Sequence, residues 1–262
     1  MIFLLYICAL IFGLLIGSFA NVLILRTPND EDVFFDRSKC FKCKKIIKWY
    51  DLIPVISFLI LGGKCRFCKR KISIQYIIVE SVSAFLCLLT VYLFYGEFSI
   101  PQIIIFYLLI EMFFVIAFID IKHLILPDVV QLMIFILGII YFIVYKTGIA
   151  FDSSWQSNIL SGLIWGLFIY LIWFFSKGKW IGFGDVKLMF LIGLLFGPTA
   201  SLAIFYIAVF SGVIIGLIII LLKKGNMKTA IPFGAFISII AGFSILFPNT
   251  ISSIVDAFLS LI

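Results

Sequence analysis

Asp185 follows two glycines in Gly182-Phe183-Gly184-Asp185, directly ahead of the apolar run 188–196. A carboxylate at the edge of an apolar segment is costly to desolvate, so it marks a functional position. A second aspartate, Asp120, ends the apolar run 103–119. Two carboxylates at one depth of a membrane protein point to acid–base chemistry. Such a pair resists double ionisation in a low-dielectric site, so one member keeps a proton. The ionised member can take a proton from water as it attacks a peptide carbonyl, and the protonated one can donate to the carbonyl oxygen and help the amine leave.

Each residue also has a plainer reading. Asp120 at a span end could be a solvated boundary residue or a helix cap, and Asp185 is likewise placed near a helix start. Asp128, after Pro127, competes for the chemical role, but its position in a first helical turn makes it the more structural residue. Gly182 and Gly184 permit unusual backbone angles and close approach of another chain, as a site for an extended peptide requires. The single histidine, His123, cannot supply the paired histidines of an H-E-x-x-H metalloprotease and reads as a polar loop residue. No serine or cysteine has a base partner evident in the sequence.

A second constellation is Cys40-Phe-Lys-Cys43 with Cys65-Arg-Phe-Cys68, two C-x2-C pairs separated by 21 residues. Two such knuckles can bring four thiolates to one tetrahedral zinc, in a closed and therefore structural site. The intervening segment is short for a domain with its own apolar core, so a metal would supply its folding energy. Redox-active or incidental cysteines are the alternative. Cys8 and Cys87 lie inside apolar spans and read as small packing residues.

The elements that must position these groups are membrane helices. Of 262 residues, 64% are hydrophobic and only 13% charged, with a mean hydropathy of +1.27. No soluble domain of this length hides so many apolar side chains. Backbone groups in lipid must bond internally, and the alternating short segments of a barrel are absent, so the runs read as helices. The fold class is an all-α polytopic membrane protein with about eight spans, near 2–25, 75–95, 101–119, 125–146, 157–176, 186–198, 200–222 and 231–248. A small zinc-ribbon-like loop domain lies between the first two. The first span has neither a basic stretch before it nor a small-residue cleavage site after it, and reads as a retained anchor.

Charge orients the spans. Residues 26–73 hold 12 of the 20 Lys and Arg, and Lys122, Lys177, Lys179, Lys187, Lys223, Lys224 and Lys228 fall on the same side, leaving only Lys146 opposite. The positive-inside rule then places the large loop in the cytoplasm and the N-terminus outside. Asp120 and Asp185 both come to lie at cytoplasmic helix ends. A cytoplasmic loop also disfavours disulfides, which strengthens the metal reading. Because the basic residues follow the membrane alternation, the net charge of +7 reports topology rather than nucleic-acid binding.

Asp120 with Leu126-Pro127-Asp128, followed by Gly182-Phe183-Gly184-Asp185-Val186-Lys187, resembles the paired signature of the type IV prepilin peptidases, the G-x-G-D aspartic proteases of the membrane. Gly17-Ser18-Phe19-Ala20-Asn21-Val22 with Arg26 and Pro28, Ile53-Pro54-Val55-Ile56-Ser57, and Ser73-Ile74-Gln75-Tyr76 before Glu80 also match, in the family's order. Ile77 departs from the proline that the family often has after Gln-Tyr. The resemblance implies a catalytic pair Asp120 and Asp185, glycines Gly182 and Gly184 framing it, and metal-binding Cys40, Cys43, Cys65 and Cys68. It further implies prepilin and pilin-like substrates, cut after a glycine at the cytoplasmic face of a bacterial inner membrane, and in many members N-methylation of the new terminus with S-adenosylmethionine. No G-x-G-x-x-G dinucleotide-type motif is present to place that donor. The chain divides into an N-terminal region 1–95 and a peptidase domain 96–262. The runner-up is a small ion or proton-coupled transporter with a zinc cap, in which carboxylates relay protons. It would show paired repeats and charges near the midplane, and neither is seen.

Overall fold

A computed structural model describes residues 2–40, 42–145, 154–222, 231–248, 250 and 253. Lys146, Lys223, Lys224 and Lys228, four of the charges used to orient the spans, lie outside the described residues. Helix dominates: α1 Ile2–Arg26, α2 Ile56–Ile60, α3 Gln75–Phe94, α4 Ile100–His123, α5 Asp128–Tyr145, α6 Trp155–Ser176, α7 Phe183–Leu221 and α8 Phe233–Leu246. Strand pairing among the described residues is limited to isolated bridges. Six helices are long and apolar enough to cross a membrane, and α8 is a shorter apolar one.

Against the eight spans read from sequence, six helices have spanning length, because the sixth and seventh apolar runs are joined in α7 and the eighth forms the shorter α8. Gly197 interrupts its 39 residues at φ 72°, ψ −175°, a conformation open only to glycine, with Pro198 next. The carbonyl freed there is not wasted, because the Ser201 hydroxyl donates to Gly197 O at 2.5 Å. Counted as two halves, with α8 added, α7 gives eight apolar helical segments. The 14 residues of α8 reach only about 21 Å at 1.5 Å per residue, short of a hydrocarbon core of about 30 Å.

The chain forms two compact units, Met1–Tyr107 and Leu108–Ile262, the boundary falling inside α4. In the first, α1 packs on α3 through small residues. A Cβ at Gly13 would stand 2.7 Å from Ala84 Cα, and one at Gly17 2.8 Å from Glu80 Cα. This is glycine spacing that lets two helix backbones touch. The end of α1 is closed by its own motif. Thr27 Oγ1 donates to Leu23 O at 2.6 Å and Asn29 Nδ2 to Leu25 O at 2.9 Å, so the last carbonyls find partners. The Arg26 guanidinium donates to the carbonyls of Asp32 and Asp36, tethering the start of the loop.

In the second unit α6 packs on α7 by the same device, since a Cβ at Gly193 would meet Gly162 Cα at 2.7 Å. Trp165 Nε1 donates to Ser201 Oγ at 2.8 Å beside the break in α7. The core is built from α4 and the first half of α7, with Phe113, Ile116, Ile119, Leu188, Met189, Ile192 and Leu195 buried. These two segments carry the two aspartates.

Candidate active site

Asp120 occupies the last turn of α4 and is 5% exposed. Its Oδ2 accepts the Ala235 N–H at 2.7 Å, and the Gly234 N–H also points to the carboxylate. These are free donors of the first turn of α8, where the helix dipole favours a negative group. No local pattern announces this partner, because α8 begins over one hundred residues later. Its only trace was a Pro232-Phe233-Gly234 start signal ahead of an apolar run.

Asp185 sits at the third position of α7, where its Oδ2 accepts the Gly182 N–H at 3.1 Å. That cap fixes the side chain and leaves Oδ1 without a hydrogen bond from any described residue. Asp120 is near enough for its charge to act on Asp185. The cap orients one oxygen of Asp185, as the Ala235 N–H orients one of Asp120.

Leu126 joins the two motifs. A Cβ at Gly184 would stand 2.8 Å from Leu126 Cβ, and one at Gly234 would stand 2.6 Å from Leu126 Cδ2 and 3.1 Å from Asp120 Oδ2. Both glycines are thus required by close approach to one leucine. Leu126 reaches this place because α4 stops hard: Leu124 adopts φ 55°, and the residue before Pro127 is driven to extended backbone. Gly182 is exposed, and Gly184 is half-buried with Leu126 over its Cα.

Sequence reasoning missed Gln131. It is 3% exposed on α5, and its Nε2 donates to Leu126 O at 3.4 Å and Gly184 O at 3.3 Å. One amide thereby ties the loop after Asp120 to the turn before Asp185. The visible signal was a polar residue inside an apolar span. Asp128 opens α5 and pairs with Lys187, Nζ to Oδ1 at 2.6 Å, at an exposed position. His123 is exposed at the end of α4.

In the other unit Cys40, Cys43, Cys65 and Cys68 place their sulfurs within 4.8 Å of one another. A tetrahedral zinc with Zn–S bonds of about 2.3 Å asks for sulfurs about 3.8 Å apart, so a modest contraction closes the site; Cys40 and Cys68 already lie at 3.9 Å. The two knuckles are copies of one turn. Lys44 N–H donates to Cys40 O at 2.8 Å and Lys69 N–H to Cys65 O at 2.9 Å, and both lysines take φ 57°. Arg66 clamps Asp51 through Nε at 2.8 Å and Nη2 at 2.6 Å, holding the Asp51 carboxyl below the usual carboxylate range. The donor set, its geometry and its doubled turn fit a metal ion.

Residues 11–94 match the model of the bacterial peptidase A24 N-terminal domain, and residues 107–221 match that of the type IV leader peptidase family. A prepilin leader peptidase/N-methyltransferase of Vibrio cholerae is 32% identical over 197 residues, covering 71% of this chain and 76% of that protein. Proteins of the same name from Bacillus subtilis and Xanthomonas campestris are each 29% identical. They cover 87% and 94% of this chain, and 88% and 92% of their own lengths. No solved structure matches.

Proposed function

Because the chain belongs to the type IV leader peptidase family, we propose that Asp120 and Asp185 are its catalytic pair and that residues 96–262 carry the cleavage of prepilin leaders. The observation that carries this is the convergence of the two carboxylates around Leu126 and the turn of Gly184, each with one oxygen held by a backbone N–H. One carboxylate in its ionised form takes a proton from the attacking water. The other, protonated, donates to the scissile carbonyl oxygen; the proton taken from water then passes to the leaving amine as the C–N bond breaks, and the carbonyl oxygen returns its proton to the second acid, restoring the pair. The backbone N–H groups orient both acids before substrate arrives, so little reorganisation is left for the reaction.

The substrate is a prepilin or pilin-like protein with a short basic leader, cut after its glycine. The exposed backbone of Gly182 beside Asp185 suits an extended peptide, and Gly184 holds the turn open to it by giving its own side-chain space to Leu126. The distribution of Lys and Arg supports a cut at the cytoplasmic face of the bacterial inner membrane, with the N-terminus outside. Cys40, Cys43, Cys65 and Cys68 would hold a structural zinc, which closes the loop domain and leaves no position for substrate.

The names of the relatives support a second step, N-methylation of the new terminus. S-adenosylmethionine would supply the methyl group; the chain's own part is to hold the amine, and the first unit has a buried carboxylate for that.

Incubating the solubilised protein with a prepilin and recording product masses tests both steps. Peptide released after the glycine is expected, with the mass of one added methyl group when the donor is present. Intact prepilin after prolonged incubation overturns the peptidase reading.

A further inference from the structure

The N-terminal motifs converge on one place inside the first unit. Glu80, one turn into α3, is 6% exposed. Its Oε2 accepts the Val55 N–H at 2.7 Å, and the Ser18 hydroxyl lies beside the carboxylate. No described Lys, Arg or His forms an ion pair with it. One turn away on the same helix interface, Asn21 is 1% exposed. Its Nδ2 donates to Gly17 O at 3.3 Å and Tyr76 O at 3.2 Å, whereas its Oδ1 is buried without a partner.

The turn over Glu80 is held in an uncommon shape. Val55 has φ 59° and ψ −51°, and Ile56 N–H donates to Pro54 O at 2.5 Å, which together describe a γ-turn of the rarer hand. A β-branched residue does not adopt that conformation unaided, and strain of this sort gathers where a ligand is to be received.

Neighbouring turns of the α1–α3 interface thus carry a carboxylate, with the Ser18 hydroxyl bonded to it, and an unpartnered amide oxygen. A hard divalent metal asks for six or more oxygens and usually several carboxylates, which the spot does not offer. A primary ammonium has three N–H donors and one charge, the complement of what is present. Buried carboxylates are rarely left without a cation. We propose that Glu80, Asn21 and Ser18 form a binding site for a primary ammonium, the α-amine of the processed pilin. The assignment rests on the reading that the chain acts on pilin precursors and so creates such an amine. It makes Glu80 the residue that presents the terminus for modification.

The test is binding, with no methyl donor present. Full-length protein in phosphatidylcholine nanodiscs, whose headgroup has no N–H, is titrated with a labelled apolar peptide starting with Phe, either free or N-acetylated. The free amine is expected to bind roughly tenfold or more tightly, the worth of a charge-assisted contact. Glu80→Gln should bring the ratio to about one, and Asn21→Ala should lower it with the carboxylate still in place. The ratio is internal to each variant, so a variant that fails to fold reveals itself by losing both peptides. Asn21→Ala then decides: an unchanged ratio in that variant overturns the site. A preference kept by Glu80→Gln but lost in Asp185→Asn puts the amine at the aspartates and also overturns it. Repeating the titration in phosphatidylethanolamine tests the other source of a primary amine. Loss of the preference there assigns the site to a lipid headgroup instead of the pilin terminus. Failure of the peptidase reading shows separately, as uncut prepilin with the wild-type protein.

Discussion

Glu80 and Asp120 are held in nearly the same way and are asked to do different things. Each is buried near the end of a long apolar helix, at 6% and 5% exposure, and each accepts one backbone N–H at 2.7 Å. The donor for Glu80 comes from a strained turn of the loop domain, and that for Asp120 from the first turn of α8. The difference lies in what stands next to them. Asp120 lies close enough to act electrostatically on a second carboxylate, Asp185, and in the proposed pair the two divide protons so that proton transfer becomes available. Glu80 has the Val55 N–H and the Ser18 hydroxyl at its carboxylate and an unpartnered amide oxygen, Asn21 Oδ1, one turn away, so the proposed partner is a cation. In the two proposed roles the backbone clamp is common to both carboxylates, and the neighbouring groups make the difference.

The sharpest way to break the contrast is to remove the second carboxylate. Asp120→Asn and Asp185→Asn should each lower leader removal by about 10³-fold or more, within the range of acid–base contributions of roughly 10²–10⁴ per group. Membrane insertion should be unchanged, read from product masses alongside size-exclusion profiles. Full processing by either variant would end the pairing argument. Next in size is the loop domain. Cys43→Ser or Cys68→Ser should bring zinc from about one ion per chain to near none and lower the unfolding temperature. Metal-free protein of unchanged stability would sink the zinc assignment.

A smaller effect tests the packing around Asp120. Gly234→Ala puts a Cβ 2.6 Å from Leu126 Cδ2, which costs about 1–3 kcal/mol unless the leucine gives way. Activity should fall several-fold, and Leu126→Ala in the same chain should restore part of it. The absence of any such rescue would show that Leu126 is not the contact that matters. Gln131→Leu removes two donated hydrogen bonds to the motif backbones, worth about 1 kcal/mol each at most, and should slow cleavage modestly. The least effect belongs to Asp51. Arg66 lowers its folded-state pKa, so the stability it adds is present above the ordinary carboxylate range and is lost as pH falls through the lowered value. Between pH 5 and pH 8, about where carboxylates stay ionised, melting of the wild type should not respond to this pair. Asp51→Asn should flatten only the acid limb.

The membrane helices and the cysteine cluster could be read directly from the chain. Apolar runs of spanning length leave lipid as the only solvent that suits them, and backbone groups in lipid have one local solution. The cysteine spacing worked for a related reason: C-x2-C is a local turn, and Lys44 and Lys69 show the same turn built twice. Asp120 and Asp185 were legible as types and positions, because a carboxylate at a span end has few idle uses. What stayed hidden was long-range. The N–H donors for Asp120 lie on α8, the amide of Gln131 spans two motifs, and Val55 meets Glu80 across 25 residues. No periodicity encodes which helix end will face which carboxylate. That is settled by packing, by glycines at 184 and 234 that admit Leu126, and by those at 13 and 17 that bring α1 onto α3. Local backbone satisfaction is written residue by residue, whereas the pairing of buried polar groups is decided only when helices meet and each donor must find an acceptor.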